Sequence, residues 1–186
     1  MKIIYGGSFN PPTKAHYIIS KYLLEKYPDS KLIFLPTSLN YKKKDLISNY
    51  QRYKMLKIIC KGLGKRAKVS IYELIQKRYK GTFYSLKHFK DSFFVMGADN
   101  FKKITTWKHY PDVVKENKFI IIPREGVKID KIFNENIDLE RNKNNFIVEN
   151  DFENIDISSS EFRYSKDFSL LNKKIAKYIK KHRLYN

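Results

Sequence analysis

Residues 6–16 read Gly6-Gly7-Ser8-Phe9-Asn10-Pro11-Pro12-Thr13-Lys14-Ala15-His16, directly after the apolar stretch Lys2-Ile3-Ile4-Tyr5. A β-branched run entering a double glycine, with a helix-like segment beyond, reads as strand, tight turn and helix N-terminus. Gly6 and Gly7 let the backbone approach an anion closely, and the first N–H groups of the following helix point toward it. Thr13 and His16 stand three apart, so both can face one ligand once the segment has begun to coil. The plain alternative is a tight turn with a capping hydroxyl and a surface histidine.

Working outward, β-prone runs alternate with helix-prone segments along the whole chain. Strands are expected at Lys2–Tyr5, Lys31–Leu35, Lys68–Tyr72, Ser92–Met96, Lys118–Ile122 and Asn145–Val148. Helices are expected at Ala15–Tyr27, Asn49–Leu63, Thr82–Lys90, Asp112–Lys115, Ser159–Tyr164 and Leu171–His182. Such alternation predicts an α/β fold: a doubly wound, mainly parallel sheet with helices on both faces and a C-terminal helical segment. Gly6, Pro36, Gly97 and Pro123 each follow a strand, and ligands of such sheets bind outside the strands' carboxyl ends. No repeat or sharp linker divides residues 1–186, so one domain is expected. The Asn-rich stretch Asp130–Asn145 reads as a mobile connection.

The composition bounds the function. With 186 residues, 42% of them hydrophobic and 15% aromatic, the chain can bury a sizeable core. It shows no apolar run near the length of a membrane span and no signal peptide, so cytoplasm is the expected compartment and no membrane partner is expected. The single cysteine, Cys60, excludes an intramolecular disulfide and a cysteine-rich zinc site, and reads as a helix core residue. No His, Cys, Asp or Glu spacing suggests metal ligands. The net charge of +19 favours anionic partners. The lysines are spread along the chain, and no zinc-finger, aromatic RNA-binding or helix-turn-helix pattern occurs. Nucleic acid is therefore not expected as the main partner.

Near the other end stands Ile157-Ser158-Ser159-Ser160-Glu161-Phe162-Arg163. Ser158 and Glu161 have capping-box spacing, which by itself explains a helix start. Arg163 is what a cap leaves unexplained. Serine hydroxyls, helix N–H groups and a guanidinium together suit a polyphosphate.

These residues carry a family resemblance. Gly7, Phe9, Pro11, Thr13 and His16 resemble, in outline, the G-x-F-x-P-[HT]-x-x-H signature of nucleotidyltransferases, and Ile157–Arg163 resembles their I-S-S-[ST]-x-x-R motif. Gly97-Ala98-Asp99 with Trp107-Lys108, Ile121-Ile122-Pro123-Arg124, and the ending Tyr178–Tyr185 resemble the nicotinate and nicotinamide mononucleotide adenylyltransferases. The resemblance covers essentially the whole chain. It implies a Rossmann-like fold and adenylyl transfer from ATP to nicotinate mononucleotide in NAD biosynthesis, with Mg²⁺ accompanying ATP. It implies His16 and Thr13 at the transferring phosphoryl. Gly7, Ser8, Phe9, Ser158, Ser159 and Arg163 would serve ATP, with Gly97 and Asp99 at its ribose. Lys42, Lys43, Thr82, Trp107, Lys108 and Arg124 would serve the mononucleotide, and Trp107 could stack on its pyridine ring.

Thr13 and the Tyr41–Lys44 run are more similar to eukaryotic, dual-specific members, while the length and Glu73–Leu86 look bacterial. Gly81 stands where bacterial members carry an aromatic residue. Other readings stay open at this point: nicotinamide mononucleotide as main substrate, a phosphopantetheine-type enzyme of the same fold, or a non-enzymatic polyanion-binding or RNA-binding module. A homo-oligomer is compatible with the sequence.

Overall fold

A computed structural model describes residues 1–39, 46–78 and 80–185. Six strands form one sheet in the order β3-β2-β1-β4-β5-β6: β1 (Lys2–Gly7), β2 (Lys31–Pro36), β3 (Ala67–Val69), β4 (Ser92–Gly97), β5 (Lys118–Ile122) and β6 (Phe146–Val148). β1 with β4, β4 with β5, β5 with β6 and β2 with β3 all pair parallel. The order runs outward from β1 in both directions. That is the doubly wound arrangement expected from the alternation of elements. The helices are α1 (Lys14–Lys26), α2 (Asn49–Leu63), α3 (Thr82–His88), α4 (Ala98–Phe101), α5 (Asp112–Lys115), α6 (Ile129–Asn134), α7 (Ile137–Arg141), α8 (Ser159–Ser165) and α9 (Lys173–Lys181). Among the described residues no helix is long and apolar enough to cross a membrane.

The chain divides into two compact units, residues 1–5 with 80–155 and residues 6–79 with 156–186. In the second, α1 buries Ala15, Ile19, Leu23 and Leu24, and α2 buries Arg52, Met55, Leu56, Ile59 and Cys60. Both sets follow helical spacing, which turns one apolar stripe to the core. Ser48 caps α2 by accepting from the Gln51 N–H (3.2 Å). Gly64 ends it at φ 85°, a backbone region that strains residues with a Cβ. α9 starts at Lys173, after its Asn172 cap, and buries Ile175 and Ile179 while Lys173, Lys174, Lys177, Lys180 and Lys181 face solvent.

In the first unit, Phe119 to Ile122 of β5 are all buried, as expected of a strand covered on both faces. The stretch Asp130–Asn145 corrects the expectation of a mobile connection. It forms α6, α7 and a 3₁₀ turn at Lys143–Asn145. Phe133 and Leu139 within it are fully buried. The Phe133 ring lies 4.9 Å from Phe101 and 5.3 Å from Phe146, which stacks on Phe119. The asparagines that resemble loop composition act as caps and bridges. Asn136 Oδ1 accepts from the Asp138 and Leu139 N–H groups and from the Tyr110 hydroxyl. Asn145 Nδ2 donates to the Val114 carbonyl (2.9 Å).

Removing the ring that anchors this segment should be costly. Phe133→Ala is expected to lower unfolding free energy by about 3–5 kcal/mol, the range for deleting a fully buried aromatic side chain. Urea denaturation measures it, and a loss under about 1 kcal/mol would contradict the anchoring role.

Candidate active site

The turn after β1 is built around an aromatic ring. Phe9 is 1% exposed, packs on Phe34 (5.5 Å between ring centroids) and meets the His16 ring edge at 5.1 Å. Its backbone takes φ 47°, an uncommon region for a bulky residue, costing roughly 1–2 kcal/mol. Burial of the ring offsets that strain. A Cβ at Gly7 would sit 3.3 Å from the same ring, so a larger residue there requires the Phe9 ring to give way by a few tenths of an ångström. Phe9 therefore supports the loop from beneath. The resemblance places Phe9 at ATP, and its ring is turned into the core.

Thr13 caps α1 with extended backbone, and its N–H donates to His16 Nδ1 (3.0 Å). The Thr13 hydroxyl lies 2.8 Å from the same nitrogen. A ring nitrogen that accepts from a backbone N–H carries no proton there, so the neutral imidazole holds its proton on Nε2. His16 is half-buried, whereas Thr13 is fully buried. Both bonds of Thr13 fix the direction of the imidazole. The three-residue spacing serves a bond between the two side chains.

α8 is stitched to this loop. Ser158 and Glu161 form the expected capping box. Ser159 Oγ donates to the Pro11 carbonyl (2.7 Å). Arg163 Nη1 donates to the Asn10 carbonyl (2.7 Å) and the Ser159 carbonyl (3.1 Å), and Nη2 to Ser160 Oγ (3.1 Å). Three of its five N–H donors are so engaged among the described residues. The second motif is therefore first a brace on the loop, and both motifs belong to one cluster.

Three contributors escape a sequence reading. Asn10 is buried, and its Oδ1 accepts from the Tyr185 hydroxyl (2.9 Å) and the Ile47 N–H (3.3 Å). Burial pushes the Tyr185 phenol well above its ordinary pKa, so it stays a neutral donor. Arg52 reaches the Ser8 carbonyl at 2.8 Å. The available signal for Arg52 is its place on the buried stripe of α2, where a charged residue is out of pattern.

The other unit holds a second group. Gly97 closes β4 and caps α4, and Asp99 lies in the first turn of α4, where it pairs with Arg124 (3.4 Å). The resemblance gave these two residues to different substrates, and the structure brings them together. Gly81 caps α3 at φ 107°, and a Cβ there would lie 3.3 Å from Lys108 Cβ. The missing aromatic residue is thus explained by backbone conformation and by Lys108 packing against the glycine. Thr82, the first residue of α3, follows Gly81 directly. Trp107 is half-buried, its ring edge-on to Phe94 at 5.9 Å. His109 stacks on Phe83 (4.9 Å). Lys42 and Lys43 lie outside the described residues.

A family model described as cytidylyltransferase-like matches residues 4–165. The probable nicotinate-nucleotide adenylyltransferase of Acholeplasma laidlawii is 33% identical, over 100% of this chain and 97% of that protein. The protein of the same description from Fusobacterium nucleatum is 35% identical, over 97% of this chain and 98% of its own. Among solved structures, Plasmodium falciparum nicotinic acid mononucleotide adenylyltransferase complexed with NaAD has a TM-score of 0.78 at 24% identity, covering 99% of this chain and 96% of that one. The last likeness speaks to the fold. Because the identity to the bacterial relatives runs end to end, this chain belongs to the nicotinate-nucleotide adenylyltransferase family.

Proposed function

We propose that the chain, acting as one nucleotidyltransferase domain over residues 1–186, transfers the adenylyl group of ATP to nicotinate mononucleotide, releasing pyrophosphate. The observation that carries this reading is the oriented His16 at the start of α1, on a glycine loop braced by α8. End-to-end similarity to nicotinate-nucleotide adenylyltransferases supports it. The mononucleotide phosphate attacks the α-phosphorus in line. A phosphate oxygen–phosphorus bond forms, and the bond from the α-phosphorus to the bridging oxygen breaks. The nucleophile is already an anion, so no general base is needed, and catalysis rests on positioning and neutralised charge.

In this reading His16 Nε2–H donates to the transferring phosphoryl, with Thr13 fixing the ring. Backbone of Gly7 and Ser8 lies along the phosphates. Ser158, Ser159 and the remaining Arg163 donors hold the departing pyrophosphate. Gly97 and Asp99 serve the ribose, and Thr82, Trp107, Lys108, Arg124, Lys42 and Lys43 serve the mononucleotide. Mg²⁺ enters with ATP as part of that substrate. Among the described residues no three His, Cys, Asp or Glu side chains cluster as metal ligands.

A pyrophosphate-release assay tests the reaction. Release is expected with ATP and nicotinate mononucleotide, and release only with phosphopantetheine would move the substrate. No release with any acceptor, together with salt-steep polyanion binding, would favour a binding module. Replacing one preorganised donor to developing charge lowers turnover by about a hundredfold or more. That loss is expected for His16→Ala, with mononucleotide affinity little changed; turnover within a few-fold of the parent would remove His16 from the chemistry. Arg163→Ala is expected to weaken ATP binding by roughly 1.5–3 kcal/mol, the range for a bond to a charged group. Unchanged ATP affinity with lost folding stability would leave Arg163 only its bracing bonds. The acid form should be preferred over the amide form by ~1–3 kcal/mol in catalytic efficiency, since the distinction rests on donors near Thr82 and Lys108. A preference for the amide, or one above about 4 kcal/mol for the acid, would contradict this account of the pocket.

A further inference from the structure

Arg52 is fully buried on α2, and its side chain donates four hydrogen bonds there. Nε donates to the Ile47 carbonyl (3.2 Å), Nη1 to the Ser8 carbonyl (2.8 Å), and Nη2 to the Thr37 carbonyl and Asn49 Oδ1 (2.6 Å each). All four acceptors are neutral oxygens. Three of them lie on separate pieces of chain: the glycine loop, the exit of β2, and the lead into α2. Asn49 extends the network by accepting from the Leu39 N–H (3.1 Å) and donating to the Leu74 carbonyl (3.1 Å). Gly7 joins it from the loop side, its carbonyl accepting from the Thr37 N–H (3.0 Å).

A peptide unit is planar, and its carbonyl and N–H point in opposite directions. Fixing the Ser8 carbonyl on Arg52 therefore fixes the direction of the Phe9 N–H on the opposite side of that plane. The same guanidinium holds Thr37 and Ile47, one on each side of the lysine-rich segment 40–45 in sequence. Burial lowers the Arg52 pKa to about 10, which leaves the group charged at neutral pH.

We infer that Arg52 is a positioning residue for adenylyl transfer: its planar fork sets the Ser8–Phe9 peptide of the phosphate loop and ties that loop to both flanks of segment 40–45. This rests on the reading of residues 6–16 as the phosphate loop. The geometry needs an arginine, because lysine keeps the charge but cannot reach divergent acceptors from one planar fork.

The test uses the full chain, ATP with Mg²⁺, and nicotinate mononucleotide. Arg66 supplies the control. It also donates to carbonyls, those of Leu24 (2.8 Å) and Pro28 (2.7 Å), but next to the amino ends of β2 and β3. Arg52→Lys is expected to lower kcat by about 10- to 100-fold and to raise KM for ATP, measured well below its melting temperature. Arg66→Lys is expected to lower the melting temperature while leaving kcat within about twofold, since it lacks the loop contact. Folded Arg52→Lys with kcat within about threefold of the parent overturns the inference, as does an equal loss of kcat in Arg66→Lys. Should Arg52→Lys not fold, Asn49→Ala removes one acceptor and leaves the charge. A fall in kcat of about fivefold or more then supports the inference, and an unchanged kcat overturns it. His16→Ala separates the two readings. Lost turnover there with retained turnover in Arg52→Lys rejects only the role of Arg52, whereas retained turnover in both rejects the phosphate loop itself.

Discussion

The carbonyl groups of Ser8, Asn10 and Pro11 belong to a loop that is neither helix nor strand, with Phe9 to Thr13 buried. Buried backbone carbonyls need donors, and a loop cannot supply its own. Here the donors come from two elements distant in sequence, α2 and α8. Arg52 of α2 takes Ser8, Arg163 of α8 takes Asn10, and Ser159 of α8 takes Pro11. Tyr185, near the C-terminus, takes the Asn10 side chain. The loop's shape therefore draws on bonds from segments far apart in sequence. That dependence links the first motif to the last and gives the C-terminal segment a part in the site.

The same bonds have an electrostatic consequence. Two guanidinium groups stand behind the loop and bond mainly to neutral oxygens, so their charge is not cancelled by carboxylates through those bonds. In the proposed reading, a phosphate at this loop meets backbone dipoles, the N-terminus of α1 and the two cations bonded to the loop. The barrier to bringing two anions together, the mononucleotide phosphate and ATP, is the central problem of this reaction class. A rigid, positively biased loop addresses it without a proton-transfer step.

Much of the fold was legible because the hydrophobic period changes cleanly from strand to helix along the chain. α2, α5 and β5 fall on their expected boundaries. The misreading of Asp130–Asn145 has a specific cause. Asparagine is counted as loop-forming from composition, but Asn136 here is a helix cap and Asn145 a bridge, and Phe133 supplies the anchor. The strand–turn–helix setting of His16 and the capping box ahead of Arg163 were legible from motif spacing. The positioning role of Thr13 and the support role of Phe9 were not, since burial depends on what packs over a residue. Asn10 and Tyr185 are 175 positions apart in sequence, so no local pattern joins them. Gly81 read as a missing aromatic residue, and only its φ of 107° shows that the backbone itself favours glycine.

The central claim is that residues 6–16, held from behind by Arg52 and Arg163, receive the triphosphate. A crystal structure of the full chain with a non-hydrolysable ATP analogue and Mg²⁺ tests it most directly. The account predicts a phosphoryl oxygen within about 3 Å of His16 Nε2, hydrogen-bonding distance, with the β- and γ-phosphates at the start of α8. The bonds from Arg52 to Ser8 and from Arg163 to Asn10 should persist at close to 2.8 and 2.7 Å. A triphosphate seated away from this loop, or a loop that releases both arginines to bind it, would contradict the account.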